Sequence, residues 1–177
     1  VHGAFGAFEH VREPAGTRAG RAQQSVGGAF GEAMRNRSFW LLLAGYFVCG
    51  YQLVFIGVHL PAYLKDQGLM NPNIAVTALA LIGLFNIFGS YYAGKLGGKF
   101  AKRHLLSAIY LSRAAVIGLF LLAPLSAWTV YLFAAGMGVL WLSTVPLTNG
   151  IVAGIFGVKH LSMLAGMVFF SHQVGSF

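Results

Sequence analysis

Residues His104–Val158 read HLLSAIYLSRAAVIGLFLLAPLSAWTVYLFAAGMGVLWLSTVPLTNGIVAGIFGV. Across these 55 residues Arg113 is the only Asp, Glu, Lys or Arg. A helix crosses a hydrocarbon core of about 30 Å with about 20 apolar residues. A single helix of this length would be far too long, so the run predicts two membrane spans. The turn between them falls at Ala123-Pro124-Leu125-Ser126-Ala127, because proline cannot continue a helix.

The flanking sequence extends the pattern. Arg37 and Lys65 enclose 27 residues free of Asp, Glu, Lys and Arg, and Asp66 and Lys95 enclose 28. The last 18 residues, after Lys159, also contain none. The expectation is an all-α integral membrane protein with five visible transmembrane helices, at about 38–62, 74–94, 104–123, 127–156 and 160–177. The last of these is expected to be cut short at Phe177, and a chain that starts at Val1 reads as a piece of something longer. None of the runs is a signal peptide, since each is too long and none is N-terminal.

Composition agrees. Of 177 residues, 57% are hydrophobic and 9% are charged, against about 25% charged in an ordinary soluble domain. This excludes a soluble enzyme, a disordered tail and an acidic binding module. Cys49 is the only cysteine, which excludes an internal disulfide framework and a thiolate metal cluster. No metal and no cofactor is expected.

The basic residues set the orientation. Alternate reading puts Arg12, Arg18, Arg21, Arg35, Arg37, Lys95, Lys99, Lys102, Arg103 and Lys159 on one side and only Lys65 on the other. The rich side is expected to be cytoplasmic, in a cell membrane. Residues 1–37 then form a cytoplasmic segment, mostly flexible and rich in glycine, with a short helix from about Ser25 to Asn36. Its basic residues lack interleaved aromatics, so nucleic acid is not an expected partner; the lipid bilayer is.

Polar residues within the spans are the candidate functional set, because they are costly in lipid. Arg113 stands at the centre of the third span with no carboxylate in any span to meet it. It is either a counter-charge for an anionic substrate or a structural arginine bonded to helix carbonyls or to an acid in the missing part of the protein. Gln52 and His59 are seven residues apart on one face of the first span, with Cys49 and Ile56 along it. Gly83, Asn86 and Ser90 share a face of the second span, with Asn86 suited to interhelical bonding. In the fourth span Trp141, Thr144 and Thr148 share a face, Asn149 lies beside it, and Pro146 predicts a bend. Gly150 and Gly154 form a GxxxG, and Ala134 with Gly138 a small-xxx-small pair. The fifth span carries Ser171, His172 and Gln173. No HExxH, GxSxG or paired carboxylates occur, so an enzyme is not expected.

Gly94-Lys95-Leu96-Gly97-Gly98-Lys99-Phe100-Ala101-Lys102-Arg103 resembles the loop motif of the major facilitator superfamily, G-x-L-A-D-R-x-G-R-R. Gly94, Leu96, Lys99, Lys102 and Arg103 match in type. Gly98 replaces the acid and Ala101 the second glycine. The loop joins the second and third spans, as the repeated copy does in the C-terminal half of that superfamily. The resemblance implies that residues 1–37 are the central loop, and that residues 38–177 hold about the seventh to eleventh helices of a twelve-helix fold. It also implies an N-terminal six-helix half as the missing partner.

The stretches Gly57–Leu64, Leu140–Thr148 and Phe169–Phe177 resemble bacterial members of the monocarboxylate-porter branch. The implied activity is secondary transport of a small organic solute, a monocarboxylate being the class that branch suggests, by alternating access. In such a fold the seventh and tenth helices line the cavity, which favours Gln52, His59, Trp141, Thr144 and Thr148 as site residues. The ninth is peripheral, which favours the structural role for Arg113. Carriers of that branch often hold a carboxylate with an eighth-helix arginine, and residues 73–94 contain none. The alternative is a channel or interaction subunit assembled through small-residue helix packing.

Overall fold

The computed structural model describes residues 25–69 and 71–177. The segment expected to be flexible therefore lies outside the described residues as far as residue 24. Seven helices follow: α1 Val26–Arg35, α2 Arg37–Asp66, α3 Pro72–Gly97, α4 Lys102–Leu122, α5 Ala127–Trp141, α6 Thr144–Phe156 and α7 Leu161–Gly175. Among the described residues four stretches are long and apolar enough to cross a membrane: α2, α3, α4 and the combined Ala127–Phe156. The apolar α7, with 15 residues, is shorter.

The helix ends follow local chemistry. Asn36 opens α2 by accepting from the Ser38 N–H at 2.9 Å, and Asn71 opens α3 by accepting from Asn73 at 3.0 Å. Both satisfy donors that a first turn leaves without partners. Pro72 occupies the first turn of α3, where its missing N–H costs nothing. After the turn at Pro124, Ser126 and Thr129 form a capping box. Gly157, at φ 78°, supplies the left-handed turn between α6 and α7, which glycine adopts freely.

Two boundaries differ from expectation. The first span, expected over about 38–62, runs on through Pro61 to Asp66; a membrane helix tolerates one lost bond where its surroundings satisfy the freed carbonyl. The span over 127–156, expected to bend at Pro146, is instead two helices, separated at Leu142-Ser143. Proline's ring clashes with the carbonyl four residues before it. For Pro146 that carbonyl is Leu142, and there the chain leaves the helix.

Packing is pairwise: α3 lies along α5, α2 lies along α7, and α4 sits across α5 and α6. Lipid is as apolar as leucine, so helices gain little by hiding apolar surface and depend on close contact instead. Glycines permit that contact at both crossings. Gly89 lies against the Val139 backbone and Gly138 against Ile82; Gly50 lies against the His172 carbonyl and Gly175 against Phe47. The expected GxxxG pair does not work this way. Gly150 meets only the Lys102 side chain, and Gly154 faces open space.

The interior has three levels. One apolar cluster joins Ile56, Leu60 and Leu64 of α2 to Ile74, Ala78 and Ile82 of α3 and Val130, Phe133 and Met137 of α5. A second joins Phe39, Leu42 and Tyr46 of α2 to Val152 and Phe156 of α6 and Leu164 and Val168 of α7, with Ala33 of α1 beneath them. Between them along the helices lie the buried Cys49, Arg113, Ser143, Thr144 and Thr148.

Candidate functional site

That middle level is the polar centre of the molecule, built around the break between α5 and α6. Leaving a helix strands backbone groups, and each must find a partner. In a continuous helix the carbonyls of Val139, Leu140 and Trp141 would receive the N–H groups of residues 143–145, while Leu142 O would lack a donor because Pro146 carries no N–H. Here the Ser143 hydroxyl donates to Val139 O. Val145 N–H turns to Leu142 O at 3.0 Å. The remaining two carbonyls are taken by Arg113 of α4. Its Nε donates to Leu140 O at 3.1 Å, and its Nη2 to both Leu140 O and Trp141 O. The stranded Leu142 N–H donates to Asn86 Oδ1 of α3 at 3.0 Å.

Arg113 is fully buried. An arginine at the centre of a span costs roughly 2.5–3.5 kcal/mol on insertion scales. Part of that cost is offset by its position at the C-terminal end of α5, where aligned peptide dipoles carry about half a negative charge. Its Nη1 also contacts Cys49 Sγ of α2 at 3.0 Å, and its guanidinium stands 5.6 Å from the Tyr110 ring centre. Cys49 Sγ in turn lies 4.0 Å from Thr144 Oγ1. Helices α2, α3, α4, α5 and α6 therefore meet at one polar junction. In this fold the Arg113 guanidinium bonds the carbonyls of Leu140 and Trp141.

The other candidates fall into separate places. Gln52 and His59 line a cavity of about 530 Å³ between α2, α4 and α5, with Tyr51, Phe55 and Phe120 among its apolar walls and Asp66 also lining it. Gln52 Oε1 is buried there without a partner among the described residues. His59 is exposed, its ring 4.8 Å from Phe55. Trp141, Thr144 and Thr148 do not reach this cavity. Thr144 and Thr148 belong to the middle level, where Thr148 Oγ1 is buried without a partner among the described residues. Trp141 is half-buried against the first apolar cluster. Asn149 and Gln173 are exposed. His172 packs on Tyr46 and Phe169, with Nδ1 buried and unpartnered among the described residues.

Sequence reasoning passed over Tyr46 and Tyr110. Tyr46 stands three residues before Cys49, and Tyr110 three before Arg113, a spacing that puts each pair on one helix face.

The loop motif has a packing role. Gly97 lies against the Leu147 side chain, and the Lys102 stem runs over Gly150. Gly94 faces Pro146, while Lys99 and Arg103 are exposed. The small residues thus seat the end of α3 and the start of α4 on α6. Gly97→Leu is expected to unseat the loop and raise proteolysis there, whereas Gly98→Ala should not; equal digestion of the two would contradict this.

Apolar spans, a broken helix whose stranded groups are met by polar side chains, and a basic inter-helix loop define a multi-pass helical membrane protein. The Major Facilitator Superfamily model matches residues 4–177, and the chain belongs to that family. It is therefore a transporter-family chain and not an enzyme. It is similar to an uncharacterized MFS-type transporter of Bacillus subtilis (strain 168), YcxA, with 27% identity over 145 residues. It is also similar to one of Escherichia coli (strain K12), YhjX, with 25% identity over 150 residues. These alignments cover 79% and 82% of this chain but only 35% and 36% of the relatives. No solved structure matches the chain.

Proposed function

We propose that this chain is most of the C-terminal half of a twelve-helix secondary transporter of the cytoplasmic membrane. It would move a small organic solute by alternating access, with residues 1–37 as the central cytoplasmic loop. The family match carries the transporter class. Support for the placement comes from the order of spans around the basic loop, and from relatives nearly three times as long as the aligned stretch. The ten-to-one distribution of basic residues supports the orientation.

The site is read as two polar clusters. Gln52 and His59 offer an amide oxygen, unpaired among the described residues, and an imidazole in a cavity that is largely apolar apart from Asp66. Thr144 and Thr148 offer hydroxyls at the polar centre. A monocarboxylate is the solute class proposed from the branch resemblance. With no arginine in residues 73–94, its carboxylate would be met by hydroxyl, amide or imidazole donors, or by the other half.

In the full-length protein, Gln52→Leu and Thr148→Leu are each expected to weaken solute binding at least several-fold while membrane levels stay normal. Isothermal titration of the purified protein with a transported solute checks this. Unchanged affinity in both variants would remove these residues from the site. If an intramembrane histidine carries a coupled proton, His59→Gln or His172→Gln should flatten the dependence of uptake on external pH; an unchanged profile in both would exclude the two.

A further inference from the structure

We infer that Arg113 is a positioning residue whose task is created by Pro146: it caps a helix that the proline breaks. The break keeps Trp141 and Thr144 on separate helices. The inference stands on the hydrogen bonds of the α5–α6 junction and is independent of the transport reading.

The bonding inventory carries it. Pro146 has no N–H to offer Leu142 O, and its ring excludes the helical path at that carbonyl. The chain responds by withdrawing the N–H groups of residues 142–145 from the places a continuous helix would give them. Leu142 N–H goes to Asn86, and Val145 N–H goes to Leu142 O. Leu140 O and Trp141 O are then left in a membrane interior without backbone donors. Unsatisfied carbonyls there cost several kcal/mol each. Arg113 reaches both with one side chain. Two carbonyls of successive residues suit a planar fork of donors, which lysine lacks.

The cap is also tied sideways. Nη1 contacts Cys49 Sγ, and Cys49 faces Thr144 across the break. The first residue of α6 is thereby referenced to α2 as well as to α4. Four of the five guanidinium N–H groups are accounted for by these contacts, so the side chain is largely occupied by the protein itself.

The dependence on Pro146 gives a specific test. With alanine at 146 the ladder from Val139 to Leu142 can close on residues 143–146, and the Arg113 carbonyls gain backbone donors. The measurement is thermal unfolding and monodispersity of the full-length protein in detergent, for Arg113→Met, Pro146→Ala and the double variant. Arg113→Met is expected to lower the unfolding midpoint strongly or to abolish accumulation. Pro146→Ala alone should be mild. The double variant should regain at least half of the loss; if Arg113→Met does not accumulate, reappearance of a monodisperse double variant is the rescue. A residue needed only for packing or charge would not be rescued at Pro146, which none of the Arg113 hydrogen bonds reaches. Arg113→Lys, keeping the charge but not the fork, should fall between wild type and Arg113→Met. An equal loss from Arg113→Met with and without Pro146 would overturn the inference.

Discussion

Gly89→Ala is expected to leave the chain inserted in the membrane but unable to assemble α3 on α5. A methyl group at Gly89 would fall on the Val139 backbone, 2.6 Å from its carbonyl carbon and 2.8 Å from its Cα. Backbone cannot turn aside as a flexible side chain can, so the two helices must separate. Separation also pulls Gly138 from Ile82, where an added Cβ would stand 2.7 Å from the carbonyl oxygen. Overpacking a tight core costs about 1–3 kcal/mol. Here the loss is expected at the upper end, because close contact is the main attraction between membrane helices. The check is the unfolding midpoint in detergent beside Gly83→Ala, whose added methyl meets nothing within 4 Å. Gly83→Ala should match wild type; indistinguishable midpoints for the two variants would sink the close-contact explanation.

The second large effect is expected at the crossing of α2 and α7. Gly175→Ala would drive a methyl into the Phe47 backbone, and Gly50→Ala would drive one into the His172 carbonyl. The consequence differs from that at Gly89. The His172 carbonyl also accepts from Ser176 Oγ at 2.9 Å, and the His172 ring packs on Tyr46. Displacing α7 therefore moves a candidate site residue along with the helix. Gly50→Ala should lower both stability and solute affinity, whereas Gly166→Ala, with open space around it, should change neither. Cross-linking of cysteines introduced on α2 and α7 is expected to fail in Gly50→Ala and persist in Gly166→Ala. Persistent cross-linking in both would show that the crossing tolerates the methyl.

The membrane spans were legible in the sequence because one rule governs them: charge is excluded over a fixed thickness. The turn at Pro124 was legible for a local reason, that proline cannot continue a helix. Partner choice between helices was not, since it depends on which faces meet. Gly150 and Gly154 have the familiar spacing yet pack on no helix backbone. Gly89, Ala93 and Gly97, also four apart and all buried, do lie on a packed face. Pro146 announced a bend, but its steric effect falls on the carbonyl of Leu142. The groups stranded there explain why Arg113 and Asn86 occupy the spans at all. Face periodicity grouped Gln52 with His59, and it grouped Thr144 with Thr148. It could not show that the two pairs occupy different places in the fold.

The most direct test of alternating access is exchange flux through the full-length protein in liposomes. Labelled small organic solutes, monocarboxylates first, would be offered outside vesicles preloaded with the same unlabelled solute or left empty. A carrier returns faster when loaded, so saturable uptake that accelerates with internal solute is the expected result. Flux that rises linearly with concentration and ignores internal solute would contradict it, and would make the protein a channel.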